Sequence, residues 1–188
     1  MHRGGQAVFL DRDGTLLVDR GYMHEVDDLR FLPLVIDGLR SLRRSGYQLV
    51  IATNQSGIGR GLFTRSEMDK FHRALLTRLA EADVALEAIY VCPHVPGAGC
   101  RCRKPGTALF RRAIRDLSLD PSRSFVVGDR AHDVVAGHRV GCRTVLIRRS
   151  YLKRELDELA VYRMQPDHIA RNLLEASGWI VRMARKAC

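Results

Sequence analysis

Five short apolar runs recur along the chain with amphipathic stretches between them, and this alternation restricts the fold more than any other feature. The runs are Ala7–Leu10, Gln48–Thr53, Ala88–Cys92, Ser124–Gly128 and Arg143–Ile147. They are apolar nearly throughout rather than at every second residue. Such runs predict strands covered on both faces, as in a parallel sheet. Within Leu34–Arg44, the residues Val35, Ile36, Leu39 and Leu42 share one helical face, and Gly46 follows as a stop. Thr64 and Glu67 form a capping box ahead of Met68, Phe71, Leu75 and Leu79 at helical spacing. Thr107–Leu117 and Ala131–Arg139 complete the helical set. Strand and helix in alternation predict an α/β sandwich of three layers around a mostly parallel sheet.

The chain has 188 residues, enough for one domain with a well-buried core. Residues 1–150 are expected to form that core, and 151–188 a C-terminal extension packed on it. In the extension, Glu155–Arg163 and His168–Met183 read as helices, or as a short strand plus helix, and no chemistry is assigned to them. No apolar run approaches the ~20 residues that span a bilayer. Met1 to Gly5 lacks the apolar segment of a secretory signal. A cytoplasmic protein with reduced cysteines is therefore expected, and an open compact domain makes a monomer the simplest expectation. The net charge is +10, carried by 27 arginines and 4 lysines dispersed along the chain. Aromatic residues make up only 6%, and none interleave with basic ones as a base-stacking surface requires, so no nucleic-acid partner is expected.

In open parallel sheets ligands bind beyond the carboxyl ends of the strands. Polar residues suited to chemistry follow four of the five runs: Asp11-Arg12-Asp13-Gly14-Thr15, Thr53-Asn54-Gln55-Ser56, Cys92-Pro93-His94, and Gly128-Asp129-Arg130. Two carboxylates as close as Asp11 and Asp13 repel unless a cation or a proton lies between them. A hard divalent cation such as Mg²⁺ meets that need, and Asp129 could complete its site from another strand. Asp133 could support this metal or cap the helix that follows.

Cys92, His94, Cys100 and Cys102 fall within eleven residues. In an extended segment, residues two apart project to the same side, so Cys92 can pair with His94 and Cys100 with Cys102. Pro96, Gly97 and Gly99 supply the turn between the pairs. Three thiolates and one imidazole make a closed tetrahedral zinc site, structural because no position is left for substrate. It lies directly before Arg103-Lys104-Pro105, so zinc would stiffen the loop that carries Lys104.

The ordered set Leu10-Asp11-Arg12-Asp13-Gly14-Thr15, Thr53, Lys104 and Gly128-Asp129 resembles the four motifs of the haloacid dehalogenase-like phosphatase superfamily. The resemblance covers about residues 7–147 and implies a Rossmann-like core. By it, Asp11 is the nucleophile that forms an aspartyl-phosphate. Asp13 is the general acid and then the base. Thr53 and Lys104 hold the phosphoryl oxygens. Asp11, Asp129 and the main-chain carbonyl of Asp13 ligate Mg²⁺. Only 39 residues separate Asp13 from Thr53, leaving no room for a cap domain.

Two subgroups of the superfamily carry both these motifs and the zinc loop: the D-glycero-D-manno-heptose 1,7-bisphosphate 7-phosphatases and the histidinol-phosphate phosphatases. Asp19-Arg20-Gly21-Tyr22-x-His24-Glu25 and Asn54-Gln55-Ser56-Gly57-Ile58-x-Arg60-Gly61 resemble the heptose group. That resemblance implies a small phosphorylated sugar as substrate. It places Asp19, Arg20, Gly21, Tyr22, Asn54, Gln55, Ser56 and Arg60 at the sugar phosphate, and Arg103 at a second phosphate. Arg130 and the five-residue spacer between His94 and Cys100 are instead similar to the histidinol group. A nucleic-acid 3′-phosphatase would share the motifs but lacks an aromatic platform here. A zinc-stabilised nucleic-acid-binding module would leave Asp11, Asp13 and Asp129 unexplained.

Overall fold

The computed structural model describes residues 4–186. The extreme N-terminus, read above for a targeting signal, and Cys188 lie outside the described residues. Six strands form one sheet in the order β3-β2-β1-β4-β5-β6, and every pairing is parallel. The strands are β1 (Ala7–Leu10), β2 (Gln48–Asn54), β3 (Ala88–Cys92), β4 (Phe125–Gly128), β5 (Arg143–Ile147) and β6 (His168–Ala170). The helices are α1 (Val35–Arg44), α2 (Ser56–Gly59), α3 (Arg65–Glu81), α4 (Ala108–Asp116), α5 (Ala131–Arg139), α6 (Leu152–Val161) and α7 (Leu173–Lys186). Leu34, expected inside α1, takes a left-handed conformation (φ 63°) and stands just outside it. The Thr64–Glu67 capping box is present in both directions at the start of α3.

Alternate strand residues supply the two cores. Val8, Leu10, Leu49, Ile51, Val127 and Val145 pack with side chains of α1, α3 and α7 on one face. Ala7, Phe9, Val50, Ala52 and Val126 pack with Leu109, Phe110 and Ala113 of α4 and Ala136 of α5 on the other. This is the three-layer arrangement that continuous apolar strands require, since neither face meets water. No cap domain interrupts the described residues. Between Asp13 and Thr53 lie loop, α1 and most of β2, and between Thr53 and Lys104 lie α2, α3 and β3. Among the described residues, no helix is long and apolar enough to cross a membrane.

The C-terminal segment adds β6 to the sheet edge beside β5. There α7 packs on α1, and α6 packs on α5 through Leu159, Val134 and Val135. The effect of this topology is to bring the carboxyl ends of β1, β2, β4 and β5 to one rim.

Candidate active site

Asp11 leaves the end of β1, and its amide is held by the Val127 carbonyl at 2.9 Å. Gly14 turns the chain with φ 81°, a conformation glycine adopts without strain. Across the rim, Lys104 sends its ammonium into the site, with Nζ 2.5 Å from Asp11 Oδ1 and 2.6 Å from Asp133 Oδ1. Nζ also donates to the Ala52 carbonyl at 2.7 Å. The backbone of Lys104 is gripped by Asn54, which accepts from its N–H at 3.0 Å and donates to its carbonyl at 3.3 Å. Sequence reading assigned Asn54 to substrate alone, yet its side chain also holds the loop that presents the lysine.

The carboxylates of Asp11, Asp129 and Asp133 converge, with ligand atoms within 4.8 Å of one another. All three are buried. Burial lifts the Asp11 carboxyl well above its ordinary pKa against the pull of Lys104, and Asp133, Asp129 and Asp13 add to the rise. Burial, followed by the charge of Asp133, raises Asp129 to about 6. Burial works against the Lys104 charge, but Asp11 and Asp133 outweigh it and hold its pKa above the usual value. Lys104 thus pairs with two of the three carboxylates, and Arg130 Nε lies 3.3 Å from the third, Asp129. Asp133 Oδ1 is fully buried and, although ion-paired with Lys104, receives no well-directed hydrogen bond. Surplus negative charge on an all-oxygen donor set fits a hard divalent cation.

Asp13 behaves differently. Its carboxylate forms a two-armed ion pair with Arg12, Nε to Oδ1 at 2.7 Å and Nη2 to Oδ2 at 2.8 Å. Gln55 donates to the same Oδ2 at 2.8 Å and to Thr53 Oγ1 at 2.9 Å. Arg12 is wholly buried, its guanidinium 4.7 Å from the Phe71 ring centre. Its other donors reach the Met23 carbonyl, Gln55 Oε1 and Met68 Sδ, with His72 Nε2 at 3.1 Å. Burial, helped by Arg12, pushes His72 down to about 4, so its ring is neutral and Nε2 accepts from the guanidinium. Asp133 takes the capping part: Oδ2 accepts from the Arg130 N–H at 3.2 Å, while Oδ1 faces Lys104.

A cavity of about 290 Å³ opens beside Asp11, Asp13 and Thr53. Of the residues expected from sequence, Asp11, Asp13, Asp19, Gly21, Tyr22, Thr53, Asn54, Gln55, Ser56, Arg103 and Arg130 line it. Arg20 instead pairs with Asp28 on the surface at 3.8 Å, and Arg60 lies over the Tyr22 ring at 6.0 Å. His132 lines the cavity and was not foreseen. Desolvation holds its pKa below the ordinary value.

Beside the cavity, Cys92, His94, Cys100 and Cys102 also converge within 4.8 Å. Cys92 Sγ lies 3.6 Å from His94 Nδ1, 3.8 Å from Cys100 Sγ and 3.2 Å from Cys102 Sγ. Separations of this size are those of four ligands around one tetrahedral ion, so the group could hold zinc through His94 Nδ1. Gly97 and Gly99, with φ of 82° and 66°, make the turn.

The largest surprise is the C-terminal segment, to which no chemistry was assigned. Tyr151 donates a short hydrogen bond to Asp129 Oδ2. Arg149 Nε donates to the Gly14 carbonyl at 2.7 Å. Glu155 accepts from the Ala131 N–H at 2.8 Å. The available signal was position, since Arg149 and Tyr151 directly follow β5, the one strand end passed over.

A family model described as HAD-hydrolase-like matches residues 101–176. The D-glycero-beta-D-manno-heptose-1,7-bisphosphate 7-phosphatase of Haemophilus influenzae is 47% identical over 138 residues, covering 70% of this chain and 75% of that protein. The enzyme of the same name from Escherichia coli K12 is 41% identical over 156 residues, covering 79% and 82%. A crystal structure of D,D-heptose 1,7-bisphosphate phosphatase from B. bronchiseptica, complexed with magnesium and phosphate, superposes with a TM-score of 0.85 at 28% identity. It covers 95% of this chain and 99% of that one. The chain belongs to the haloacid dehalogenase-like phosphatase family that contains these heptose bisphosphate phosphatases.

Proposed function

We propose that this protein is a magnesium-dependent phosphoric monoester hydrolase that removes the 7-phosphate of D-glycero-D-manno-heptose 1,7-bisphosphate by way of an aspartyl-phosphate on Asp11. The observation that carries the reading is Lys104 Nζ at 2.5 Å from Asp11 Oδ1 on the rim where Thr53 and Asp13 also stand. A carboxylate that attacks a phosphate must overcome like-charge repulsion, and a buried ammonium beside it lowers that barrier. The names and the substrate of the relatives above support the choice of sugar.

In the first step an Asp11 oxygen attacks phosphorus, the bond to the sugar 7-oxygen breaks, and Asp13 in its acid form gives that oxygen its proton. In the second, Asp13 takes a proton from water as the water oxygen attacks phosphorus. The bond to Asp11 breaks, and inorganic phosphate leaves. Arg12 and Gln55 fix the Asp13 carboxylate for both transfers. Thr53 and Lys104 hold the phosphoryl oxygens. Asp11, Asp129 and the Asp13 main-chain carbonyl would hold Mg²⁺, with Asp133 beside them. When bound, the ion offsets the negative charge of carboxylate and phosphate at close approach.

Arg103 and Arg130, two cations on the cavity wall, suit the second phosphate, while Asp19, Gly21, Tyr22, Asn54, Gln55 and Ser56 meet the sugar. Arg20 and Arg60 sit nearby as rim residues. Zinc on Cys92, His94, Cys100 and Cys102 would be structural. We further propose a cytoplasmic location, and a monomer because one chain supplies every group the reaction uses.

The test is a phosphate-release panel of both anomers of the heptose bisphosphate, histidinol phosphate and a 3′-phosphorylated oligonucleotide. Mg²⁺-dependent release of one phosphate from the heptose bisphosphate, far faster than from the others, is expected. Preference for histidinol phosphate would overturn the substrate, and no metal-dependent release from any member would overturn the phosphatase reading.

A further inference from the structure

We propose that Tyr151 and Glu155, at the start of α6, are positioning residues for the active site. Tyr151 orients Asp129 for the divalent cation, and Glu155 orients Arg130 toward substrate. The inference rests on the reading of the site given above and extends it to a segment outside the four motifs.

Asp129 is almost wholly buried, and each of its carboxylate oxygens has one fixed donor. Oδ1 accepts from Thr15 Oγ1 at 3.1 Å, and Oδ2 accepts from the Tyr151 hydroxyl. A carboxylate oxygen accepts two hydrogen bonds, so each keeps a lone pair for a metal. Both hydroxyls are uncharged. They lock the plane of the carboxylate without cancelling the charge that would attract a cation, as groups behind metal ligands do elsewhere. Arg130 Nε, the charged neighbour, stands farther from Oδ2 at 3.3 Å.

Arg130 is held by several groups, with Nε 3.3 Å from Asp129 Oδ2 and Nη2 3.6 Å from Asp19 Oδ2. Its guanidinium lies over the Tyr151 ring, 4.0 Å from the centre, and Nη1 is 3.5 Å from Glu155 Oε1. Glu155 is buried, and its second oxygen takes the Ala131 N–H at the head of α5. One turn of α6 therefore sets both the metal-facing acid and the cavity-facing arginine. An arginine restrained in this way loses less freedom when it meets a phosphate, and that gain is in substrate affinity.

The experiment compares the full-length parent with Tyr151→Phe and Glu155→Gln. Tyr151→Phe keeps the ring under Arg130 and deletes only the hydroxyl. Calorimetric titration with MgCl₂ alone should show Mg²⁺ binding weakened ~10-fold or more in this variant. KM for the heptose bisphosphate at saturating Mg²⁺ should stay near the parent value. Glu155→Gln should do the reverse: unchanged Mg²⁺ binding, and KM raised several-fold. Mg²⁺ binding in Tyr151→Phe equal to the parent would overturn the Asp129 half. An unchanged KM in Glu155→Gln would overturn the Arg130 half, and the two variants need not both fold for one half to be decided. The titration needs no substrate. It can therefore succeed even if the heptose bisphosphate proves to be the wrong sugar, and it can fail while the panel above succeeds.

Discussion

Gly14 and Asp129, on neighbouring strand ends, are packed so closely that a Cβ on Gly14 would collide with Oδ2 and Cγ of the Asp129 carboxylate. Gly14 also has φ 81°, which L side chains rarely adopt. Gly14→Ala is thus expected to shift Asp129 out of the carboxylate trio, weakening Mg²⁺ binding and cutting kcat at least ~10²-fold. Strain in the turn should cost a further 1–3 kcal/mol, as an order of magnitude. Calorimetric titration with Mg²⁺ and thermal melting check this, and a variant with parental Mg²⁺ affinity would refute it.

Lys104 is ion-paired with both Asp11 and Asp133. Lys104→Met should leave buried carboxylates uncompensated and lower stability by about 3–5 kcal/mol. Phosphate release should fall by ~10²-fold or more, because the charged group proposed to hold the phosphoryl oxygens is gone. Added Mg²⁺ should recover part of the stability and little of the rate. Denaturant melts and phosphate assays with and without Mg²⁺ separate the two effects.

The four sulfur and nitrogen groups proposed to hold zinc sit at the root of the loop that carries Lys104. Cys100→Ser is expected to lose stoichiometric zinc, to melt earlier and to turn over more slowly, with Mg²⁺ affinity less affected. Elemental analysis of the purified variant decides the ligand assignment, and full zinc content would reject it.

His72 offers a pH test. Its folded pKa, about 4, lies below the ordinary 6.5. As pH falls through 6.5, the unfolded chain takes up a proton that the folded one refuses, so stability drops and keeps dropping until about pH 4. The full loss from this ring is about 3 kcal/mol. His72→Gln can still accept from Arg12 but does not titrate. Its stability should fall less than the parent's between those limits, as followed by urea melts at several pH values. Identical pH profiles would remove His72 from the account.

Much of this was legible in the sequence because it is local. The five apolar runs lie where strands form, with β2 one residue longer and β4 one residue shorter than read. The Thr64–Glu67 box marks its helix directly. Asp11 and Asp129 each follow a strand and Thr53 lies at the carboxyl end of β2, so the parallel topology alone brings them to one rim. Arg12 was hidden by its neighbours: nothing in Asp-Arg-Asp says that the arginine turns inward to Phe71 and His72, sixty residues away in sequence. Tyr151 and Glu155 were missed for a related reason. Their partners Asp129 and Arg130 lie more than twenty residues back, and Arg148-Arg149-Ser150-Tyr151 reads as a solvated basic loop until α6 is seen to pack on α5.

The most direct measurement is chemical trapping of the phosphorylated acid. The enzyme is quenched in acid during turnover of the heptose bisphosphate with Mg²⁺, treated with borohydride and mapped by peptide mass spectrometry. Reduction of an aspartyl-phosphate converts that residue to homoserine, and the account predicts homoserine at position 11, absent in Asp11→Asn, which should also be inactive while melting like the parent. Homoserine at position 13 instead, or a parental rate from Asp11→Asn, would contradict it.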